Sequence, residues 1–209
     1  MSDAQARFAG YYAAPQAPWD IGRPQRAFVE ASGEITRGPG DRPARVLDSG
    51  CGTGDLALWL AEQGCQVTGV DFLGQPLEVA RRKAQVRGLA VNFLQLDALA
   101  VGEIPERFDA VTDCGLFHVF DDAGRAAYVA ALTRLLEPGA KLFLLCFADA
   151  EPGEHGPRRV SERELREAFA RGWTIEKIEP TRFETVTGIP GAEFTPGGAR
   201  AWCATIRRT

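Results

Sequence analysis

Histidine is scarce in this chain, with only His118 and His155 among 209 residues. The five cysteines (Cys51, Cys65, Cys114, Cys146 and Cys203) are odd in number and scattered, without a Cys-x-x-Cys pair. Neither a zinc-ligand set nor a disulfide framework has the residues it needs, so no metal is expected and the cysteines read as reduced thiols of a cytoplasmic protein. An excess of positive charge is also missing. The 24 basic and 28 acidic residues leave a formal net charge of −4, which excludes the phosphate-neutralising surface of a nucleic-acid binder. The longest apolar run, Leu142 to Ala148, falls far short of the roughly 20 residues a membrane span requires. Met1-Ser2-Asp3-Ala4 lacks the basic-then-apolar order of a signal peptide. No internal repeat or low-complexity segment occurs. What remains is a globular composition, 45% hydrophobic and 25% charged, long enough for one α/β domain with a substantial core.

From Arg45 onward, apolar bursts of strand length alternate with amphipathic stretches of helix length. Arg45–Asp48, Gln66–Asp71, Val91–Leu96, Phe108–Thr112 and Lys141–Ala148 read as strands. Leu56–Gln63, Gln75–Arg87 and Asp122–Leu136 read as the helices between them, the second ended by Gly88 and the third by Glu137-Pro138-Gly139. Ser161-Glu162-Arg163-Glu164 has the form of a capping box and starts a short helix reaching Arg171. Thr174–Glu179, with Val186 as its outer limit, and Ala201–Arg207 are two closing strands, separated by turns at Gly188-Ile189-Pro190-Gly191 and Pro196-Gly197-Gly198. Strand–helix alternation implies a doubly wound, mostly parallel sheet covered by helices on both faces. Two final strands without a full helix between them imply one antiparallel edge hairpin.

The loop Asp48-Ser49-Gly50-Cys51-Gly52-Thr53-Gly54 follows the first strand and opens a helix, where parallel sheets bind ligands. Its glycines permit sharp turning and close backbone approach. The spacing is G-x-G-x-G rather than the G-x-G-x-x-G of a dinucleotide site. Asp48 and Asp55 flank it, two carboxylates that would repel a pyrophosphate but suit the ammonium and sulfonium of S-adenosylmethionine (SAM). Asp71 ends the second strand 21 residues beyond Gly50, where a carboxylate can accept both ribose hydroxyls. Asp97 ends the third strand and can bind the adenine amino group, with Ala98 offering a backbone donor. A nicotinamide-dependent oxidoreductase is disfavoured by the loop spacing and by the lack of a Tyr-x-x-x-Lys pair.

These residues resemble class I SAM-dependent methyltransferases. Val46–Gly54 and Val70-Asp71 look like the first two motifs of that family, and Phe108–Val111 and Leu135–Ala140 like two later ones. The resemblance spans Arg45 to Ala148 and implies a Rossmann-like seven-stranded sheet with a reversed final hairpin, and SAM as methyl donor. Tyr11-Tyr12, Pro18–Gln25, Asp113–Phe120 and Gly156–Ser161 are similar to the thiopurine, halide and thiol methyltransferase group, and within it to bacterial heterocyclic-toxin methyltransferases of the mycobacterial type. The resemblance implies an N-terminal helical lid, with Trp19 near the methionine part of SAM, and a small-molecule acceptor. One domain is thereby divided into a lid (1–40), a SAM-binding core (41–150) and a substrate-side segment with the edge hairpin (151–209).

Methyl transfer from a sulfonium is an in-line displacement whose thioether leaving group needs no protonation, so orientation and exclusion of water dominate. A thiolate acceptor needs no base, whereas a hydroxyl or a protonated ring nitrogen benefits from one. His118 is the candidate base, and Asp113 either holds it or meets the SAM amino group. The cofactor set is Trp19, Asp48, Gly50, Cys51, Gly52, Gly54, Asp71, Phe72, Asp97, Ala98 and Asp113. On the acceptor side stand Tyr11, Tyr12, Phe117, His118, Phe147 and Arg158. The expected activity is methylation of a sulfur, oxygen or nitrogen atom of a heterocyclic, phenolic or thiol compound, in detoxification or secondary metabolism, by a monomer or homodimer. Alternatives are a methyltransferase acting on a quinone or another metabolic intermediate, and a non-catalytic SAM-binding protein.

Overall fold

The computed structural model describes residues 8–12, 17–189 and 193–209. Seven strands form one sheet: β1 (Arg45–Ser49), β2 (Gln66–Asp71), β3 (Val91–Gln95), β4 (Phe108–Cys114), β5 (Leu136–Phe147), β6 (Trp173–Phe183) and β7 (Ala199–Arg208). Their order is β3-β2-β1-β4-β5-β7-β6. Pairing is parallel from β3 to β5, and β7 runs antiparallel to both β5 and β6. The expected parallel sheet with one reversed hairpin is what the chain forms. Pro190-Gly191, half of one expected turn, lies outside the described residues, as does Met1–Ala4.

Alternation along the strands sends side chains to two cores. One face carries α5 (Asp122–Leu135) and α6 (Glu162–Ala168), burying Tyr128, Leu132, Leu135, Leu165 and Phe169. The other carries α1 (Arg26–Glu30), α2 (Ser32–Ile35), α3 (Asp55–Glu62) and α4 (Gly74–Arg87), burying Phe28, Ile35, Leu58, Leu60 and Leu77. Each such side chain contributes about 1.5–3 kcal/mol on leaving water. Helix ends follow local chemistry. The Asp121 carboxylate accepts the Gly124 N–H at 2.7 Å to start α5, and Gly88, at φ 65°, closes α4. Ser161 and Glu164 complete the capping box of α6.

Several boundaries differ from the sequence reading: β6 runs on to Phe183, α6 ends at Ala168, and β5 starts early. β5 begins at Leu136, because Pro138-Gly139 is carried inside the strand, where the ladder to β4 shifts register between Phe108 and Ala110. Proline and glycine are tolerated at such irregularities. Residues 26–35 fold as α1 and α2 with Phe28 and Ile35 fully buried, so they belong to the core. Among the described residues no helix is long and apolar enough to cross a membrane.

Candidate functional site

The strand order reverses direction between β1 and β4, and the loops leaving these strands meet there. The Gly50 and Cys51 N–H groups both donate to the Val70 carbonyl at 2.9 Å, folding the loop back over β2. Gly50, Gly52 and Gly54 have φ of 73°, 53° and 82°, in the left-handed region that side chains disfavour. Space demands glycine as well. A Cβ on Gly54 would lie 2.8 Å from the Ala80 Cβ, and one on Gly52 2.7 Å from the Tyr12 hydroxyl. The Cys51 thiol fills the space above Gly69 and is pushed well up from its ordinary pKa, chiefly by burial. It is packing material rather than a nucleophile.

Four acids surround this loop. Asp71 accepts the Gly52 N–H at 3.0 Å and the Leu73 N–H at 2.9 Å, one on each oxygen, leaving a lone pair on each for a further donor. Asp97 is exposed and caps a short 3₁₀ helix (Ala98–Glu103) by accepting from Leu99 N–H. Asp48 is buried behind the loop, where the Thr112 hydroxyl donates to it at 2.8 Å. Burial raises its pKa to about 7, against the Thr112 bond and with help from the Asp113 charge. Asp113 is fully buried and accepts from the Leu116 and Phe117 N–H groups. Its pKa also rises to about 7, again chiefly through burial. Asp48, Asp71 and Asp113 have no ion-pair partner among the described residues. A row of buried, unpaired carboxylates beneath a glycine cradle suits a cationic ligand with free hydroxyls, and SAM is one.

Asp55 departs from its expected part. Lys83 pairs with it at 2.8 Å and also donates to the Thr53 hydroxyl, so its charge is neutralised within the fold. Thr53 in turn donates to Asp20 at 3.2 Å, tying the loop to the N-terminal segment. That segment lies over the loop. A helical turn at residues 8–12 brings Tyr12 to Gly52, and its hydroxyl accepts from the Trp19 indole at 3.3 Å. Burial and the Asp71 charge hold the Tyr12 phenol protonated. Tyr11 packs edge-on against Trp19 at 4.9 Å, and Phe8 reaches Phe72 at 5.9 Å. On its other side the segment is stapled to the chain after β6: Val186 N–H donates to the Pro18 carbonyl, and Arg23 grips Glu184 through both ends of its guanidinium.

Three residues expected on the acceptor side make contacts within the fold. His118 sits in a 3₁₀ turn (Phe117–Val119), 4% exposed, and its Nδ1 accepts the Phe147 N–H at 2.9 Å. A neutral imidazole with Nδ1 accepting carries its proton on Nε2, and here Nε2 faces the Gly115 backbone. Burial, with Arg125 and Arg159 nearby, lowers its pKa to about 3, and as a neutral imidazole it pins two loops together. Phe117 points into the core, fully buried 5.8 Å from Phe169, because the same turn that places His118 rotates its neighbour to the opposite face. Arg158 is taken up by Asp122 at 2.5 Å and Glu164 at 2.8 Å. Phe147 is the centre of a cluster of rings, edge-on to His118 at 5.0 Å, Phe183 at 5.2 Å and Phe194 at 5.1 Å.

Sequence reasoning missed Arg125 and Glu151. Arg125 is 5% exposed, donates to the Phe117 carbonyl and to Glu164, and lies 4.8 Å over the Phe117 ring. Arg159 gathers the carbonyls of Glu151, Pro152, Gly153, His155 and Pro157, which shapes the loop after β5. Glu151 accepts from the Thr195 N–H and hydroxyl and from the Arg200 N–H. No local pattern marks these, since each partner is distant in sequence or is backbone.

Residues 46–139 match the methyltransferase-domain family. Over 190 residues the chain is 35% identical to 2-heptyl-1-hydroxyquinolin-4(1H)-one methyltransferase of Mycobacteroides abscessus, covering 90% of this chain and 80% of that protein. With the glycine cradle, the acid row and the reversed hairpin, this settles its place: the chain belongs to the class I SAM-dependent methyltransferases, and SAM is its methyl donor. Several solved structures match over its length, among them two at more than 25% identity. One, described as the conversion of a disulfide bond into a thioacetal group during echinomycin biosynthesis, has TM-score 0.82 and 35% identity, covering 100% of this chain and 93% of that one. The other, a Burkholderia thailandensis 1,6-didemethyltoxoflavin-N1-methyltransferase bound to its substrate and S-adenosylhomocysteine (SAH), has TM-score 0.73 and 26% identity, covering 99% and 87%. A demethylmenaquinone methyltransferase of Thermus thermophilus is 46% identical over 116 residues, 54% of this chain and 52% of that protein.

Proposed function

We propose that this methyltransferase modifies a heteroatom of a small, flat heteroaromatic molecule seated between the end of β4 and the chain joining β6 to β7. The ring cluster around Phe147 carries this reading: His118, Phe183 and Phe194 meet it edge-on within 5.0–5.2 Å, beside Gly115 at the end of β4. Gly115 has φ of 78°, and a Cβ there would lie 2.9 Å from the Phe183 ring, so only backbone and ring edges border this side. A cavity of about 380 Å³ opens nearby, walled by Ile21, Arg23, Val186 and Phe194 among others. That is the volume of a compact ligand site. Neither this cavity nor a larger depression of about 550 Å³ is lined by the glycine loop, but the smaller one adjoins the ring cluster through Phe194, while the arginines of the larger are paired or bonded to carbonyls.

In this reading Asp71 binds the ribose, Asp97 and Ala98 the adenine, and Gly50–Gly54 with Trp19 the methionine portion, while Asp48 and Asp113 supply negative potential from behind. Bound SAM supplies an activated methyl group on a positively charged sulfur. The chain's own part is to align the acceptor, exclude water under the segment bearing Tyr11, Tyr12 and Trp19, and face the cationic sulfur with aromatic rings. A net charge of −4 fits a free small molecule better than a nucleic acid. The quinolone and toxoflavin relatives act on flat heteroaromatics, whereas the menaquinone relative matches only about half of this chain.

The test is incubation with SAM and a panel of hydroxyquinolones, pteridine-like heterocycles, thiophenols, alkyl thiols, quinols and halide, followed by mass spectrometry. A methyl-sized gain on heteroaromatic members is expected. Gain confined to quinols or alkyl thiols would overturn the reading.

A further inference from the structure

The cavity of about 380 Å³ lies across a seam. Ile21 and Arg23 of the N-terminal segment line one side, and residues 184–188 and 193–198, which join β6 to β7, line the other. Its width is therefore set by the bonds that hold these two chains together. Gln25 is central to them. Its side chain is 3% exposed and spans the backbone of Glu184 as a neighbouring strand would: Nε2 donates to the Glu184 carbonyl at 2.8 Å, and the Glu184 N–H donates to Oε1 at 2.7 Å. A buried amide with both ends bonded to one residue's backbone is fixed in place. The Glu184 carboxylate returns the grip, accepting from both Nη atoms of Arg23 at 3.1 and 2.8 Å and from the Arg26 N–H at 3.1 Å. Two residues further on, the Val186 N–H donates to the Pro18 carbonyl at 2.8 Å. The residue before Glu184 is Phe183, buried, whose ring meets Phe147 and His118. At the other end of the segment, Asp20 accepts the Thr53 hydroxyl at 3.2 Å and so joins it to the glycine loop.

We infer that Gln25 and Glu184 are positioning residues for methyl transfer: they fix the Phe183 ring and the acceptor wall at a set distance from the donor loop, with residues 18–26 as the shared strut. This rests on the acceptor site proposed above. Both residues act through the rings and backbone they hold. The Arg23 guanidinium keeps the Glu184 carboxyl below its ordinary pKa, so the anchor is charged at neutral pH. Where reacting groups must be aligned, displacing them by about 1 Å costs about a hundredfold in rate. The strut also makes the donor and acceptor sides depend on each other. A ligand that steadies Gly50–Gly54 steadies Asp20 through Thr53, then Pro18 and Gln25, then Val186 and Glu184. Such coupling runs equally in both directions.

Two measurements on the full chain test this. The first needs no acceptor: amide hydrogen exchange at Glu184 and Val186, read by NMR with and without SAH. Both amides are expected to exchange at least about threefold more slowly with SAH bound, though neither belongs to the glycine loop. Gln25→Met keeps the side-chain length and removes both bonds, so the slowing should vanish there. SAH affinity in calorimetry should then fall by no more than about the same factor. No slowing in the wild type, or equal slowing in both proteins, would overturn the inference whatever the acceptor is. The second measurement is steady-state kinetics with SAM and the acceptor that gains a methyl in the panel above. Gln25→Met is expected to lower kcat/KM for the acceptor about 10- to 100-fold, with KM for SAM changed less than about threefold. A second variant guards against misfolding of the first. Glu184→Gln keeps its backbone bonds to Gln25 and loses the charge facing Arg23, so a drop of about three- to tenfold on the acceptor alone is expected. Equal losses on SAM and acceptor would mark a general loss of structure and overturn the positioning role. Exchange that shows the coupling while neither variant alters acceptor kinetics would place the acceptor elsewhere, removing the site proposed above and this inference with it.

Discussion

Replacing Gly52 by alanine isolates the contact between the glycine loop and the segment that covers it. Gly52 has φ of 53°, so an alanine there carries a left-handed backbone at a cost of about 1–2 kcal/mol. Its Cβ would stand 2.7 Å from the Tyr12 hydroxyl oxygen but 3.8 Å from the Tyr12 Cζ, so the oxygen alone obstructs it. Tyr12 must swing away and give up the 3.3 Å bond from Trp19, worth about 0.5–1.5 kcal/mol. The sum, about 2–3 kcal/mol, corresponds to a fall in Tm of roughly 5–10 °C for a chain of this size. Tyr12→Phe removes the obstructing oxygen and the Trp19 bond together. The double variant should therefore lose only the backbone strain beyond what Tyr12→Phe loses, and the two changes should cost about 1 kcal/mol less together than the sum of the singles. Thermal unfolding of the four proteins at one pH measures this. Additivity within about 0.3 kcal/mol would refute the placement of Tyr12 on the loop.

Three further outcomes follow from the same geometry. Asp71→Ala should weaken SAH binding roughly 10- to 100-fold, the value of one or two hydrogen bonds to a charged group; unchanged affinity in calorimetry would remove Asp71 from the cofactor site. Asp48 and Asp113 have folded-state pKa values of about 7 against about 4 when unfolded, so the folded state holds extra protons between these values. Their contribution to stability therefore falls as pH rises from about 4 to about 7 and is flat above. Asp48→Asn, which keeps an oxygen for Thr112, should flatten that fall in a Tm-against-pH series, and curves parallel to wild type would contradict the assignment. The buried Arg125 has an Nη2 without a hydrogen-bond partner, so Arg125→Met should recover most of the roughly 3 kcal/mol lost in Arg125→Ala. Urea unfolding showing Met no better than Ala would rule this out.

The sheet was legible because each parallel strand, buried on both faces, leaves an apolar run, and because Gly88 and the Ser161–Glu164 box mark helix ends through local chemistry. The strand β5 was cut short because Pro138-Gly139 reads as a breaker, and only pairing to Phe108 shows that it continues. In the site, the glycine loop and Asp71 could be read since their geometry is set within one strand–loop–helix unit. His118 could not. Its proton is placed by the backbone of a residue 29 positions away, and its charge is opposed by Arg125 and Arg159 from other elements. The surroundings of Phe117 and Arg158 were hidden for related reasons: the first depends on which way a 3₁₀ turn rotates, the second on partners Asp122 and Glu164 supplied by α5 and α6.

Glu151 gives the acceptor wall a different standing from the donor half. The cradle for SAM is built on strands locked to one another by ladder hydrogen bonds, so changing it disturbs the sheet. The connection from β6 to β7 is fastened at its far end by one carboxylate, which receives Thr195 and Arg200 backbone groups and the Thr195 hydroxyl. A replacement connection of another length or composition docks in the same place if it keeps a carboxylate for Arg23, the N–H for the Pro18 carbonyl and one N–H for Glu151. On the proposed reading, acceptor preference can change with this one connection so long as its ties to Arg23 and Pro18 are kept.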